Sequence, residues 1–391
     1  LIELENYTFN EGDLSYLKST GFFTDAFIDY LKEFRFTGTV RAMPEGTVFF
    51  KDEPVLEVSA PLIQAQILET LLINTIGFQT LIATKAARCL HAAAGRSLID
   101  FSARRTHGGD ASLKVARSSY LAGFAGTSNV LAGKLYGIPV SGTMAHSFVT
   151  AFDTEIEAFR AFVETYPENS VLLIDTYDTL HGAENAVKIA GEMAQKGQKL
   201  IGVRLDSGDM VDLSRRVRQI LDNAGLQAVK IFASSGFDEH KIARVIENGA
   251  KIDAFGVGTK MGVSADAPYF DIVYKMVHFK DRDIRKLSPG KVNLAGEKQV
   301  FRKTDENGMY VEDIIGLKDE DTPAGCQPLL ERVMENGKRT GPETNIESIR
   351  NNVCKNLSSL ADSYKMLRSA LDFPVKISDQ LLTIQKNFDD N

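Results

Sequence analysis

A chain of 391 residues with a formal net charge of -7 is too long for one small core, which suggests two domains, and too acidic to bind nucleic acid over its whole surface, although a local basic pocket stays open. Hydrophobic residues at 43% and charged residues at 25% are those of an ordinary globular chain. Cys89, Cys326 and Cys354 are too few and too far apart for a disulfide framework or a zinc site, so a reducing cytoplasm is expected.

The longest apolar tract, residues 62 to 82, is broken by Gln64, Gln66, Glu69, Asn74 and Gln79, which fits a buried helix pair and not a membrane span. No targeting segment is visible. The chain opens on Leu1 in the middle of a pattern, and a native amino-terminal segment is expected to precede it.

Apolar residues at helical spacing (Leu14, Leu17, Phe22, Phe23, Phe27 and Leu31), interrupted by Gly21, predict two short helices between residues 13 and 35. Short β-favouring runs from Gly38 to Ala60, divided by Pro44-Glu-Gly and Lys51-Asp-Glu-Pro turns, predict a small antiparallel unit. The period is helical from Leu62 to Ala94. Beyond Gly95 four apolar runs each lead to a helical pattern: Ser97-Leu-Ile-Asp-Phe, Val171-Leu-Leu-Ile-Asp, Lys199-Leu-Ile-Gly-Val-Arg-Leu-Asp and Val229-Lys-Ile-Phe-Ala. The helices are expected over 112–121, 182–196, 211–224 and 239–248, and Ile252-Asp-Ala-Phe-Gly-Val-Gly-Thr closes the series.

This alternation predicts right-handed βαβ units on a parallel sheet. No six-residue glycine fingerprint follows the first strand, so a closed or partly closed α/β barrel is favoured over a dinucleotide fold. From Ala267 the pattern returns to β, in Tyr269 to Val277, Lys298 to Arg302 and Met309 to Leu317, before a helical tail over 345–371. The expected organisation is α/β: a barrel domain over 96–266 and a discontinuous mixed α+β domain built from 1–95 and 267–391.

Polar residues just after these runs carry the chemistry. His146, in Val140-Ser-Gly-Thr-Met-Ala-His-Ser, stands where an apolar run hands over to a helix, whose unpaired backbone N–H groups suit an anion. It reads as a base, an anion partner or a phosphoryl acceptor, or as no more than a helix cap. Arg104 and Arg105, followed by Gly108-Gly109, fit an anion site better than a surface pair. Asp175 and Asp178 flank Thr176-Tyr177 and equally fit helix caps.

Arg204 and Asp206 share one strand face at period two, so they either aim a cation and a carboxylate into one pocket or form a structural pair. Ser234-Ser235-Gly236 and Gly256-Val-Gly258-Thr259 end the last two units, where small residues let N–H and hydroxyl groups close on phosphate oxygens. The ligand implied is a sugar phosphate with a second anionic partner, and the carboxylates suit Mg2+ or ribose hydroxyls. No Walker-type Gly-Lys-Ser/Thr loop is present, so any nucleotide is held differently.

The ordered set Asp100-Phe-Ser-Ala-Arg-Arg-Thr-His-Gly, Gly126-Thr-Ser-Asn-Val-Leu-Ala-Gly, Gly142-Thr-Met-Ala-His-Ser, Asp175-Thr-Tyr-Asp, Val203-Arg-Leu-Asp-Ser-Gly-Asp and Gly256-Val-Gly-Thr resembles the nicotinate phosphoribosyltransferase family over residues 37 to 316. The resemblance implies an irregular α/β barrel beside a mixed domain from both chain ends. It implies formation of nicotinate mononucleotide and pyrophosphate from nicotinate and phosphoribosyl pyrophosphate in NAD salvage. ATP would be a co-substrate, Mg2+ a cofactor and a homodimer the assembly, with neither nucleic acid nor membrane as partner.

By that resemblance His146 is phosphorylated transiently by ATP. It likewise implies that Thr143 and Arg204 meet nicotinate and that Thr259 meets the phosphoribosyl pyrophosphate; Ser147 and Arg104 are further expected at nicotinate, Arg104, Arg105, Ser235, Gly236, Gly256 and Gly258 at the phosphoribosyl pyrophosphate, and Asp175 and Asp206 are expected to hold ribose hydroxyls or a metal whose ligands stay open. Two departures stand out. No Thr-Asp-x-Tyr motif, whose tyrosine stacks on the pyridine ring in the family, opens this chain, so base binding is expected to be impaired without it. Thr106-His107 replaces the more usual Ala-Gln. A nicotinamide-specific enzyme of the same architecture and a non-catalytic metabolite sensor are the competing readings.

Overall fold

In the computed structural model, which describes residues 1–286, 288 and 293–389, the apolar runs after Gly95 become short parallel strands. These are β1 (Ser97–Asp100), β2 (Gly126–Thr127), β3 (Val171–Leu173), β4 (Gly202–Leu205), β5 (Lys230–Ala233) and β6 (Ala254–Val257). They pair in the order β2-β1-β6-β5-β4-β3. Leu172, Val203, Ile231 and Phe255 have no exposed surface, as expected of strands covered on both faces. Among the described residues no ladder joins β2 to β3, and Val140 bridges to Thr127 at the outer side of β2, an arrangement compatible with the irregular α/β barrel expected.

The helices between and before these strands are α1 (Glu69–Ala92), α2 (Gly109–Ala122), α3 (Val130–Tyr136), α4 (His146–Val149), α5 (Glu155–Thr165), α6 (Thr179–Gln195), α7 (Met210–Asn223), α8 (Glu239–Glu247) and, after β6, α9 (Thr259–Gly262), of which α3, α5 and α9 were not expected. Three begin on an aspartate that caps backbone N–H groups: Asp178 for α6, Asp209 for α7 and Asp238 for α8. Asp178 is thus a cap and not a site residue. Apolar faces of α6 and α7, including Ala186, Ile189, Val217 and Leu221, pack on the sheet, the three larger side chains contributing about 1.5–3 kcal/mol each.

The chain divides into two compact units, one of Gly77–Phe270 with Lys365–Ser369, the other of Leu1–Ile76, Asp271–Tyr364 and Ala370–Asn391. The boundary expected after residue 95 falls instead inside α1. The reason is packing: Ile82, Ala86, Cys89 and Ala92 join the same buried cluster as the parallel strands.

The second unit holds two four-stranded sheets. One runs Lys338–Arg339, Glu331–Glu335, Thr39–Ala42, Leu56–Ser59, all antiparallel; the other runs Cys326–Pro328, Lys298–Thr304, Tyr310–Leu317, Val375–Ile377, its last pair parallel. The strand expected over Tyr269 to Val277 does not form; only His278–Phe279 pairs, with Arg282–Asp283. Its period-two alternation survives as partial burial of Ile272 and Tyr274, because alternation records which side faces inward and a ladder needs a neighbouring strand as well.

At the centre of the second sheet Arg302 and Asp313, both fully buried, pair through two guanidinium nitrogens at 2.9 and 2.5 Å, with the Tyr310 and Phe50 rings 4.4 and 5.4 Å from the guanidinium carbon. Beside them Glu53 accepts the Phe50 N–H at 2.9 Å through Oε2, while its Oε1 is buried without a hydrogen-bond partner. Burial first, then the Asp313 carboxylate, push the Glu53 carboxyl from 4.5 up to about 8.

A raised native pKa means that this contribution to stability is complete below the unfolded pKa and is lost as pH climbs through the native one. Glu53→Gln is therefore expected to gain on the parent protein by at most about 1.4 kcal/mol per pH unit between roughly pH 5 and 8. Urea unfolding of both proteins at several pH values measures this, and parallel stability profiles would rule Glu53 out as the titrating group.

Candidate active site

The carboxyl ends of neighbouring parallel strands meet around one guanidinium. Alternation along β4 buries Val203 and Leu205 and leaves Arg204 half-buried on the opposite face. Arg204 Nε donates to Ser234 Oγ at 3.0 Å, Nη1 to Thr143 Oγ1 and to the Met144 carbonyl at 3.4 Å, and Nη2 lies 3.5 Å from Asp206 Oδ1. Ser234 Oγ in turn donates to Asp206 Oδ1. The guanidinium carbon is 5.6 Å from the centre of the Phe101 ring, within cation–π range.

Phe101 lies here because Gly256 makes room: a Cβ at 256 would come within 2.5 Å of the ring. Behind it the fully buried Asp100 accepts the Ser102 N–H at 2.9 Å and the Thr127 hydroxyl at 2.8 Å. Burial pushes the Asp100 carboxyl above its ordinary pKa.

His146 opens α4. Its Nδ1 is 3.1 Å from Thr176 Oγ1 and its Nε2 3.6 Å from Asp206 Oδ2, and the side chain is 43% exposed, open to an incoming ligand. Asp175 Oδ2 accepts the Asp206 N–H at 2.9 Å and the Ser207 hydroxyl at 2.6 Å, whereas Oδ1 is buried with no hydrogen-bond partner. This strand end sits tight under α6, since a Cβ on Gly182 would fall 2.1 Å from the Ile174 carbonyl oxygen. His146, Arg204, Thr143, Asp175 and Asp206 thus share one constellation.

Ser235, at φ +114, and Gly236, at φ +61, make the turn after β5, and Lys241 Nζ donates to the Ser235 carbonyl. Thr259 opens α9 after β6, the strand paired with β5. Other expected site residues stand apart. Arg104 and Arg105 occupy an exposed 3-10 turn, Ala103–Arg105, and among the described residues neither guanidinium has a hydrogen-bond or ion-pair partner. Ser147 is exposed, its carbonyl accepting from Thr150 Oγ1 at 3.3 Å, and His107 is exposed.

Gly256 is buried within β6, and the space its missing side chain leaves is taken by Phe101; Gly258 leaves room for the Phe101 carbonyl, 3.0 Å from where a Cβ would be. The two glycines therefore seat Phe101 at the end of β6. Phe101, Thr176 and Asp100 went unassigned from the sequence, although all three lie inside the quoted motifs, and Ser234, read there as part of a phosphate-holding turn, bonds Arg204 and Asp206.

Among the described residues one group of three metal-type donors, Glu239, His240 and Asp266, is close enough to share an ion, but Lys85 and Arg88 already neutralise its carboxylates. Among the described residues no helix is long and apolar enough to cross a membrane.

The chain matches the nicotinate phosphoribosyltransferase (NAPRTase) N-terminal domain over residues 1–77, the NAPRTase family over 96–286 and the C-terminal domain over 321–385. It is 46% identical to the nicotinate phosphoribosyltransferase pncB2 of Mycobacterium tuberculosis (strain H37Rv), over 97% of this chain and 81% of that protein. It is 39% identical to the nicotinate phosphoribosyltransferase of Bacillus subtilis, over 96% and 82%. The crystal structure of human nicotinic acid phosphoribosyltransferase superposes with a TM-score of 0.87 at 27% identity, covering 98% of this chain and 90% of that one. By sequence along nearly its whole length and by fold, the chain belongs to the nicotinate phosphoribosyltransferase family.

Proposed function

We propose that this chain transfers a phosphoribosyl group from phosphoribosyl pyrophosphate to nicotinate, releasing pyrophosphate, coupled to ATP hydrolysis, in NAD salvage. The observation that carries this reading is Arg204 beside the Phe101 ring. A flat aromatic acid lying along that ring would turn its carboxylate toward the one Nη2 hydrogen that Ser234, Thr143, Met144 and Asp206 leave over. A neutral amide in its place leaves a largely buried cation without an anionic ligand, which favours nicotinate over nicotinamide.

In the reaction the pyridine nitrogen bonds to ribose C1 while the C1–O bond to pyrophosphate breaks, its electron pair leaving with pyrophosphate and positive charge building on the sugar ring. Asp206 and Asp175 stand at the same mouth and stabilise that charge or hold the ribose hydroxyls. Bound Mg2+ would neutralise the departing pyrophosphate, and Asp175, through its unpaired Oδ1, and Asp206 would hold it. Ser235, Gly236 and Thr259 are the residues for the sugar phosphate.

His146 is the phosphoryl acceptor in this reading. Thr176 orients the ring through Nδ1, leaving Nε2 to take the phosphoryl group of ATP as ADP departs; water then takes it as phosphate and restores the imidazole. The exposed apolar residues Val130, Leu131, Leu135 and Val140 offer a surface for the second copy of a homodimer.

His146→Ala is expected to abolish ATP turnover while leaving a slow, uncoupled transferase reaction; full coupling in that variant, followed by ADP release, removes His146 from the mechanism. Arg204→Lys is expected to raise the KM for nicotinate roughly tenfold or more, because a point charge cannot reproduce the planar fork. An unchanged KM would assign the carboxylate to another cation, Arg104 first.

A further inference from the structure

Two loops carry the phosphate-holding reading, the turn Ser234 to Asp238 after β5 and the segment Gly258 to Ala267 after β6, and ion pairs join them at two levels. At the rim Lys260 Nζ, on the second loop, lies 2.6 Å from Asp238 Oδ2 on the first. Beneath the rim Glu239, which starts α8 directly after the first loop and is fully buried, meets Lys85 Nζ at 2.8 Å and Arg88 Nε at 2.9 Å. The same Lys85 Nζ reaches Asp266 Oδ1, on the second loop, at 2.5 Å. Lys85 is 5% exposed. Burial opposes its charge, yet its bonds to Asp266 and Glu239 prevail and hold its pKa above the ordinary lysine value.

Burying such a network returns little net stability compared with an apolar core, so its value lies in the geometry it specifies. One ammonium bonded to carboxylates reached from both loops ties their positions together. A phosphate gripped between the loops is sensitive to small changes in their separation, because charge-assisted hydrogen bonds are short and directional.

We infer that Lys85 is a positioning residue which, through Glu239 and Asp266, sets the gap between the two phosphate-holding loops and so governs affinity for the phosphorylated sugar while leaving the pyridine subsite untouched. The inference rests on the phosphoribosyl transfer proposed above.

Removing Lys85 leaves the fully buried Glu239 with Arg88 as its remaining close cation and endangers folding, so the primary variant is Asp266→Asn, whose side chain is half exposed. Initial rates with each substrate varied in turn should show the KM for phosphoribosyl pyrophosphate raised about five- to tenfold, with the nicotinate KM and kcat within about twofold of the parent. Lys85→Met should move the same constant further, and Lys85→Arg should recover part of it. An unaltered KM for phosphoribosyl pyrophosphate in folded Asp266→Asn, or an equal rise in both KM values, overturns the inference. Calorimetric titration with phosphoribosyl pyrophosphate separates the two levels: a parent protein that binds none sinks the functional reading and this inference with it. A parent and an Asp266→Asn variant that bind it equally sink only this one.

Discussion

A single guanidinium shared among the Thr143 hydroxyl, the Met144 carbonyl, the Ser234 hydroxyl and the Asp206 carboxylate holds the candidate site together. Its partners come from segments far apart in sequence, and parallel pairing is what lets them meet. Every strand of such a sheet ends at the same edge, so each βα connection delivers its first polar residues to a common rim. Arg204 then acts as the template on which that rim closes. Asp206 links it to the imidazole of His146 and, through its backbone N–H, to Asp175.

What supports this rim is steric as much as electrostatic. Gly182 lets α6 lie against the Ile174 carbonyl, and Gly256 opens the space that Phe101 fills. Each is a place where any other residue would force backbone or ring to shift, so the site's geometry is written partly in absent side chains. Asp100, buried and bonded to Ser102 and Thr127, fixes the turn that carries Phe101. The elements under the rim are thereby over-determined, which keeps a polar cluster ordered while His146 remains open to ligands.

Much of the fold was legible because buried parallel strands read as unbroken apolar runs, and the helices expected over 112–121, 182–196, 211–224 and 239–248 lie within a few residues of those ranges, whereas Val130–Tyr136 and Glu155–Thr165 were not foreseen. Period two along Val203 to Asp206 correctly put Arg204 and Asp206 on one side. Other features were not legible for identifiable reasons. The two-residue strand Gly126–Thr127 is too short to leave a pattern. The alternation of Tyr269 to Val277 had no way of disclosing that no strand lies beside it. That Gly256 makes room for Phe101 was hidden because nothing in a sequence says which neighbour occupies the space a glycine leaves. The unit boundary was hidden since α1 is one continuous helix whose apolar residues change allegiance midway.

The antiparallel sheet of the second unit pairs Val40 with Met334. During synthesis the strand Thr39–Ala42 emerges from the ribosome long before Glu331–Glu335 exists, and until then one of its edges presents unsatisfied amide and carbonyl groups to the surroundings. This sheet can therefore close only once more than four-fifths of the chain has been made, which ties its completion to the last stretch of synthesis.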